Sequence, residues 1–417
     1  RDFIISNIKE VMIKYGFQYL ETPSFEYSDS IGKFLPDKDR PDEGVFSFKD
    51  ENKWLSLRYD LTAPLARYVA KNYLEIPKPF KRYQLGTVWR NEKPGPGRFR
   101  EFLQFDADFV GTKSLQADAE LCVMISEILE KCGLAKSDYI IKISSRKITE
   151  QLFKKINIID NQQKLTALRA LDKIDRFGWD GVKELLGTGR KDKSGDFTKG
   201  ANLKFKDIKT IEETLKKKSP ETEDLNEILK IFKDYNFDNY EFDPSIIRGL
   251  EYYTGAIFEV NLKFDVTNNK GQVIRFGSIG GGGRYDNLVN NFGNYDAPAT
   301  GISIGLDRLV YALMQKNKLK VKQSKPVVIC VFDKNSMRDY INIQTMLRKT
   351  GISAEIFPGE SKLKKQMEYA NKIKSPAVIL YGEDEIKSSK PTLRDLSTGK
   401  EQSIEIKELA NEIKKII

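Results

Sequence analysis

The chain of 417 residues contains no histidine, and this absence restricts its chemistry before any motif is considered. It excludes histidine general bases, Ser–His and Cys–His nucleophile pairs, and imidazole metal ligands. Cysteine is also scarce. Cys122, Cys132 and Cys330 form no Cys-x-x-Cys pair, so neither a disulfide framework nor a thiolate zinc site is indicated. We therefore expect any catalysis to depend on arginines, carboxylates, backbone groups and a metal ion.

The sequence also lacks long apolar runs and the usual glycine-rich nucleotide loops. No apolar segment approaches the roughly 18 to 20 residues of a membrane span, and no secretory signal is visible in a chain that starts at Arg1. We expect a cytoplasmic protein without a membrane partner. No Gly-x-x-x-x-Gly-Lys-Ser/Thr loop is present, and the glycine run at 280–283 does not match Gly-x-Gly-x-x-Gly. A bound nucleotide would therefore lie on a sheet face.

Acidic residues are fewer than basic ones, 60 against 70, and two segments account for the difference. Residues 141–240 contain 22 Lys and Arg against 17 Asp and Glu, and residues 321–417 contain 18 against 13. The rest of the chain sums to zero net charge. This distribution suits a polyanion that lies across the protein, although well-solvated lysine-rich surfaces would give the same counts.

The pattern of apolar residues predicts an α+β chain with two domains. The first, residues 1–320, should contain an antiparallel sheet with helices, and a polar helical insertion at about 150–238 interrupted by a loop at 187–202. A lysine-rich linker follows. Residues 326–417 then alternate short apolar strands with helical segments, which predicts a small α/β domain.

Residues 80–90 and 98–111 predict two antiparallel strands joined by a Gly/Pro-rich loop, and the second strand has an unusual face. Its odd positions are mostly apolar, whereas its even positions carry Arg98, Arg100, Phe102, Gln104, Asp106 and Asp108. With Arg90, three guanidiniums cluster at one end, where they could bind phosphate oxygens bidentately. The phenylalanine offers a flat face for a base, and Gln104 and Asp108 could hold a cationic or donor-rich group. The alternative is a surface hairpin with scattered charges.

Two further stretches carry residues suited to a polar substrate. Asp60 and Thr62 are two positions apart and could both bind an ammonium group, although Thr62 could instead cap the helix that follows. Arg308 lies in the first turn of another predicted helix. It could meet a phosphate, or it could pair with Asp307 or solvent.

Five segments, in order, resemble the motifs of class II aminoacyl-tRNA synthetases. Residues 80–111 are similar to motif 2, which has Arg-x-Glu, a loop, and Arg-x-x-x-Phe. Residues 17–27, "FQYLETPSFEY", resemble motif 1, and residues 301–309, "GISIGLDRL", resemble motif 3. The stretches "IIRGLEYYTGAIFEV" (246–260) and "GGGGRYDNLV" (280–289) resemble the two signatures of the histidyl-tRNA synthetase family. The resemblance extends over essentially the whole chain.

This resemblance implies a class II catalytic domain with an antiparallel sheet and a helical insertion, followed by an α/β anticodon-binding domain at the C-terminus. It implies ATP-dependent attachment of L-histidine to tRNA-His through a histidyl-adenylate intermediate. ATP would be a substrate, and Mg²⁺ would assist the departure of pyrophosphate. The resemblance of residues 17–27 to motif 1 implies a homodimer.

The resemblance also implies roles for individual residues. Arg90 would bridge the amino-acid carboxylate and the α-phosphate of ATP, and Arg248 would stabilise the charge that develops at that phosphate. The remaining ATP contacts would be Glu92 at the adenine amino group, Phe102 stacked on adenine, and Arg98 and Arg308 at the β- and γ-phosphates. The histidine contacts would be Asp60, Thr62 and Gln104 at the α-amino group, and Asp108 and Tyr253, with Tyr252 nearby, at the imidazole.

Three alternatives remain open on sequence grounds. One is a regulatory paralogue of histidine biosynthesis, but such paralogues usually lack the anticodon-binding domain and lose catalytic arginines that are present here. Another is a class II synthetase for a different amino acid, against which the run Arg-Gly-Leu-Glu-Tyr-Tyr at 248–253 argues. The third is an RNA-binding protein without catalysis, supported by charge alone. The chain departs from the family pattern at three places. Asp108 stands where many bacterial members carry the longer Glu, the motif 2 loop "EKPGPG" lacks the larger polar side chains of some relatives, and Glu251 stands where Asp is common.

Overall fold

In the computed structural model the chain separates into two units, Arg1–Leu319 and Lys320–Ile417. The structure describes residues 1–28, 44–95, 97–192, 195–247, 253–267, 271–274, 277–316, 325–359 and 361–417. Within these ranges, no helix combines the length and the apolar character needed to cross a bilayer. Each unit encloses its own buried apolar core.

The strands of the first unit form where apolar and polar residues alternate or where glycines allow close strand pairing. In chain order they are β1 (Gln18–Tyr19), β2 (Phe25–Tyr27), β3 (Ser47–Asp50), β4 (Lys53–Leu57), β5 (Phe80–Trp89), β6 (Glu101–Val110), β7 (Tyr139–Ser145), β8 (Gly189–Lys191), β9 (Phe197–Lys199), β10 (Tyr240–Phe242), β11 (Ala256–Leu262), β12 (Val266–Thr267), β13 (Val273–Ile274), β14 (Gly280–Arg284) and β15 (Ala299–Gly305). One sheet has the order β1-β5-β6-β15-β14-β11-β7-β10. It is antiparallel except at its edges, where β1 pairs with β5 and β10 with β7 in parallel.

Some helices of the first unit pack on this sheet, and those between residues 146 and 215 share a separate core. In chain order they are α1 (Asp2–Lys14), α2 (Thr62–Lys71), α3 (Leu115–Lys131), α4 (Arg146–Lys155), α5 (Asn161–Leu171), α6 (Ile174–Leu186), α7 (Phe205–Leu215), α8 (Glu223–Asp234), α9 (Asn290–Gly293) and α10 (Leu306–Gln315). The main core joins the sheet to α1, α3 and α8 through residues such as Ile8, Leu121 and Phe232. Helix α3 begins at the cap Ser114, whose side chain accepts a backbone N–H bond, and the chain turns after it at Gly133.

Two sequence expectations in this unit need correction. The expected loop at 187–202 contains a short hairpin of β8 and β9, which the periodicity missed because each strand has three residues. The second strand of the 80–111 hairpin begins at Glu101 rather than at residue 98, because the chain first makes a tight turn. In that turn the Arg98 N–H donates to the Gly95 carbonyl at 2.9 Å, and Gly97 has φ +67°.

The second unit is a five-stranded sheet with helices. Its elements are β16 (Val327–Ile329), α11 (Met337–Lys349), β17 (Ala354–Ile356), α12 (Leu363–Lys372), β18 (Ala377–Leu380), α13 (Glu383–Ser388), β19 (Thr392–Asp395), β20 (Glu401–Ser403) and α14 (Leu409–Ile416). The order is β17-β16-β18-β19-β20, parallel among the first three strands and antiparallel beyond them. Alternate residues of β16 enter two different cores, one containing Ile329 and the other Val328, so the sheet is covered on both faces.

Candidate active site

Strand β6 presents apolar side chains to one face of the sheet and polar side chains to the other. Its odd-numbered side chains, including Phe105 and Phe109, belong to the main core. Its even-numbered side chains are also buried from Gln104 onward, and they lie in register with the even-numbered residues of β5. We call the buried polar side chains of these two strands the polar layer: Arg82, Gln84, Gln104, Asp106 and Asp108. Buried polar groups need hydrogen-bond partners, so their contacts indicate what the layer is built for.

Asp108 is held from two sides within the polar layer. Arg82 Nη1 donates to Asp108 Oδ2 at 2.9 Å, and the Tyr285 hydroxyl donates to Oδ1 at 2.5 Å. Burial raises the pKa of Asp108, and these two partners oppose the rise. Gly301 is the residue opposite on β15, and a Cβ there would lie 2.0 Å from Asp108 Oδ1. The carboxylate therefore occupies space that only glycine leaves open.

Arg82 connects the polar layer to the turn before α2. Its side chain is fully buried, and Nη2 donates to the Leu61 carbonyl at 3.0 Å and to Gln84 Oε1 at 2.5 Å. The Thr22 hydroxyl also donates to Gln84 Oε1, at 3.2 Å. Arg82, which binds Asp108, is therefore itself held by the Leu61 carbonyl and by Gln84.

Asp106 and Gln104 form a separate pair in the same layer. Gln104 Nε2 donates to Asp106 Oδ1 at 2.9 Å. Burial, together with the negative charge of Asp108, raises the pKa of Asp106 to about 8. Among the described residues, no Lys or Arg makes an ion pair with Asp106, in contrast to the Arg82–Asp108 pair.

Asp60 lies at the start of α2, close to two arginines of the site. Its Oδ1 accepts the backbone N–H of Ala63 at 3.1 Å, so this carboxylate, rather than the Thr62 hydroxyl, contacts the helix N-terminus. Burial raises the pKa of Asp60, and the positive charges of Arg90 and Arg82 oppose the rise. The two predicted ammonium ligands, Asp60 and Thr62, thus adjoin the polar layer through Arg82.

At the open end of the hairpin, Arg90 lies between two aromatic rings. Its guanidinium carbon is 4.5 Å from the centre of the Tyr59 ring and 5.1 Å from that of Phe102. The Tyr59 hydroxyl donates to Glu92 Oε1 at 3.1 Å. Arg98 is exposed. Of the three guanidiniums expected to cluster, Arg90 lies over Phe102, whereas Arg100 lies 4.6 Å from the centre of the Phe46 ring.

Arg308 reaches the same loop from the first turn of α10. Its Nε donates to the Gly97 carbonyl at 2.8 Å, and Nη1 donates to the Ser278 carbonyl at 2.7 Å. The adjacent Asp307 accepts the backbone N–H of Leu103 through Oδ2 at 2.9 Å. Hydrogen bonds from helix α10 therefore hold both the β5–β6 loop and the first residues of β6.

Comparison with known proteins places this arrangement in a family. A family model described as histidyl-tRNA synthetase matches residues 3–309, and one described as an anticodon binding domain matches residues 325–416. The chain belongs to the histidyl-tRNA synthetase family. The fold class predicted from the sequence, a class II catalytic domain with an anticodon-binding α/β domain, is confirmed.

Relatives in this synthetase family cover nearly the whole chain. It is 48% identical to the histidine–tRNA ligase of Bartonella quintana, over 97% of this chain and 87% of that protein. It is 47% identical to that of Rhizobium meliloti, over 98% of this chain and 86% of that protein. A crystal structure of histidyl-tRNA synthetase from Nostoc sp. PCC 7120 has a TM-score of 0.77 and 26% identity, and covers 100% of this chain and 95% of that one.

The structure describes only some of the other residues that were selected from the synthetase signatures. Tyr253 is half-buried, and a Cβ on Gly283 of the glycine-rich strand would lie 3.1 Å from its ring. Arg248 and Tyr252 lie outside the described residues. The described part of the chain contains no group of three or more acidic or cysteine side chains that could hold a metal ion.

Sequence reasoning missed two residues that build the site. Arg82 and Tyr285 fix Asp108, yet neither was assigned a role. A signal for Arg82 was present, since Arg82 and Gln84 alternate with Tyr83 and Leu85 in β5 just as polar and apolar residues alternate in β6. Tyr285 lies within the signature at 280–289, but the resemblance gave it no role.

Proposed function

We propose that this protein attaches L-histidine to tRNA-His at the expense of ATP, through a histidyl-adenylate intermediate. Family membership over both units and near-complete alignment with proteins named histidine–tRNA ligase support this activity. The observation that carries the proposal is the polar layer. It places buried carboxylates and an amide, suited to a cationic amino acid, on the same strand pair as arginines suited to a triphosphate.

The open end of the hairpin is proposed to bind ATP. Adenine would stack on the face of Phe102 that Arg90 does not occupy, and Glu92 would accept from its amino group. Arg98 and Arg308 would hold the β- and γ-phosphates, and the contacts of Arg308 with Gly97 and Ser278 support its placement beside the loop. Arg90 would then bridge the α-phosphate and the amino-acid carboxylate, with Arg248 stabilising charge at the α-phosphate.

The buried end is proposed to bind histidine. Asp60, Thr62 and Gln104 would bind the α-ammonium group. Asp108 would accept an N–H of the imidazole, and Tyr253, with Tyr252 nearby, would contact the other side of the ring. Because Asp108 is fixed before the substrate arrives, a side chain without a donor at the matching position would lose this hydrogen bond. Asp is shorter than Glu, and Arg82 and Tyr285 hold it in place.

In the proposed first step, a carboxylate oxygen of histidine bonds to the α-phosphorus, and the bond from that phosphorus to the β-phosphate bridging oxygen breaks. Pyrophosphate leaves with the electron pair. No protein nucleophile is needed because the substrate carboxylate is already ionised, so catalysis depends on positioning and on the arginines. Mg²⁺ is proposed as part of the substrate Mg·ATP, since phosphates supply much of its coordination in such complexes. The terminal 3′-hydroxyl of tRNA then attacks the acyl carbon and AMP leaves.

The second unit and the helical insertion are proposed to bind the tRNA. The second unit matches an anticodon binding domain, and both segments carry an excess of basic residues. Contacts with phosphates release counterions, so binding should weaken steeply with salt. The substrates of this reaction, uncharged tRNA, ATP and free histidine, meet in the cytoplasm, which is where we propose the protein works.

A homodimer is proposed to form through the outer face of the three-stranded sheet β2-β4-β3. Phe25, Tyr27 and Phe48 lie on this face and are 52%, 49% and 45% exposed. Exposed aromatic clusters of this kind are typical of interfaces. Light scattering should show a dimer that Phe25→Arg converts to a monomer, whereas Phe205→Arg, at an exposed phenylalanine on α7, should leave the dimer intact.

ATP–pyrophosphate exchange, with each amino acid supplied separately and no tRNA, tests the proposed function. Exchange with histidine alone, followed by histidine transfer to tRNA-His, is the expected result. Exchange with another amino acid would contradict the assignment of Asp108 to the imidazole. No exchange in a folded dimer would favour a regulatory relative.

A further inference from the structure

The polar layer contains one carboxylate that the proposed mechanism leaves unused. Asp106 is 2% exposed, and its carboxylate accepts one side-chain hydrogen bond among the described residues, from Gln104. Asp108, two positions along the same face, has both Arg82 and Tyr285. A buried carboxylate is costly unless a cation or several donors compensate it. Asp106 therefore occupies a position that a cationic ligand would complete.

The contact between Gln104 and Asp106 fixes which end of the amide faces the site. A glutamine amide has an N–H₂ donor end and a carbonyl acceptor end, which point in different directions. Since Nε2 of Gln104 donates to Asp106 at 2.9 Å, its Oε1 is directed away from Asp106. An acceptor is what an ammonium group requires.

The neighbouring strands leave room beside Gln104. In the register of the sheet it faces Gly86 on β5 and Gly305 on β15, so neither strand places a side chain next to it. The Arg58 guanidinium occupies the space over Gly86, where a Cβ would lie 2.6 Å from Nη2. Over Gly305, a Cβ would meet no atom closer than 3.6 Å. The β15 side of Gln104 therefore leaves room for a methyl-sized group, bounded by the Ile279 carbonyl and the Arg308 side chain.

We propose that Asp106 is a positioning residue of the amino-acid site. It holds the Gln104 amide so that Oε1 accepts a hydrogen bond from the substrate's α-ammonium group. This inference rests on the proposed function, in which Gln104 binds the α-amino group. An ammonium group at Gln104 also favours the ionised form of Asp106, which keeps the amide in this orientation.

Two histidine analogues separate this role from the alternatives. Histidinol keeps the ammonium and the imidazole, whereas 3-(imidazol-4-yl)propionate keeps the imidazole and lacks the ammonium. In calorimetric titrations of the full chain, Asp106→Asn should weaken histidinol binding by about tenfold or more, and should leave the propionate within about twofold of wild type. The matched control Asp108→Asn, on the same strand face, should weaken both ligands.

A double-mutant cycle tests whether Asp106 acts through Gln104. In a Gln104→Ala background, Asp106→Asn should cause no further loss of histidinol affinity. Steady-state exchange should show a raised KM for histidine with an unchanged KM for ATP. If Asp106→Asn folds poorly, Asp106→Ser, which fits the same space, should show the same selective loss.

The outcomes distinguish this inference from the proposed function beneath it. Equal weakening of both analogues by Asp106→Asn, an unchanged histidinol affinity, or a further loss in the Gln104→Ala background would each overturn the role of Asp106. A wild-type protein that neither binds histidinol nor exchanges pyrophosphate with histidine would overturn the proposed function itself.

Discussion

The two ends of the β5–β6 polar face are built in opposite ways. At the buried end, Asp108 receives Arg82 and Tyr285 inside the protein and lies against a glycine that leaves it room. At the open end, Arg90 rests between two aromatic rings, and Arg98 is exposed. At the buried end, the charge of Asp108 has partners before a ligand arrives. At the open end, the guanidiniums remain available to a ligand.

This difference corresponds to two kinds of recognition. An enzyme that must distinguish one amino acid from similar ones benefits from a rigid, desolvated group that penalises a wrong side chain. A triphosphate carries several charges, and mobile guanidiniums can adjust to its oxygens. The predictions below test the contrast, beginning with the largest expected change in stability.

Loss of Arg82 should be the most damaging change. Arg82→Leu leaves Asp108 buried without its cation, and we expect unfolding to become easier by about 3–5 kcal/mol. Urea unfolding of the two proteins measures the difference. Arg98→Leu is the matched control at the open end and should stay within about 0.5 kcal/mol of wild type. Equal stability of the two variants would remove the contrast between the ends.

A methyl group at Gly301 should disturb the same end by a smaller amount. Gly301→Ala places a Cβ 2.0 Å from Asp108 Oδ1 and must displace the carboxylate. We expect about 1–3 kcal/mol of destabilisation, together with weaker histidine binding. For stability, the control is Gly305→Ala on the same strand, where the nearest atom would be 3.6 Å away and φ is −74°. A Gly301→Ala protein that binds histidine normally would show that Asp108 is not rigidly held.

The pH dependence of stability should reveal the buried Asp106. Its pKa is raised to about 8 by burial and by Asp108, while Arg82 and the Gln104 amide oppose the rise and Asp60 adds to it. Between pH 4 and 8, roughly, the native state then binds one more proton than the unfolded state, so stability falls as pH rises. The side chain of Asp106→Asn does not titrate, so the native state of this variant does not bind the extra proton. Its stability relative to wild type should therefore increase from pH 5 to 7, by up to about 1.4 kcal/mol per pH unit.

Thermal and urea unfolding of Asp106→Asn and wild type at several pH values measure this slope. The other titrating groups remain in both proteins, so their contributions largely cancel in the difference. Parallel stability curves over pH 5 to 7 would show that Asp106 is ionised in the native protein.

Removal of Arg98 should leave stability unchanged and affect ATP alone. Arg98→Ala takes away an exposed guanidinium proposed to hold a phosphate, and we expect about a tenfold higher KM for ATP at an unchanged KM for histidine. Exchange kinetics at varied ATP and varied histidine separate the two constants. A rise in both would mean that the two ends of the face are coupled.

Much of the site could be predicted from one strand, because a period of two residues directly assigns its faces. The odd positions of β6 enter the core, and Gln104 and Asp108 share the polar face. The prediction that the second strand begins at Arg98 was wrong. The chain turns at Gly97 and the strand begins at Glu101, because a local turn can override alternation. Arg248 and Tyr252 lie outside the described residues and stay predictions.

The partners of Asp108 could not be derived in the same way. Arg82 reaches it from the next strand, and Tyr285 reaches it from a segment 177 positions away along the chain. Contacts of this kind depend on how distant segments pack, which periodicity within one segment does not encode. The same holds for Asp106, whose lack of a cation became visible only when the charges around it were known.

The interlocking of Arg82, Asp108, Tyr285 and Gly301 also bears on how this pocket can change over generations. Replacement of any one member leaves a buried charge, a stranded hydroxyl or a clash, so single-step variants lose stability before they acquire a new preference. A shift to another amino acid therefore requires coordinated replacements. Laboratory evolution by single substitutions should therefore stall at this end of the face.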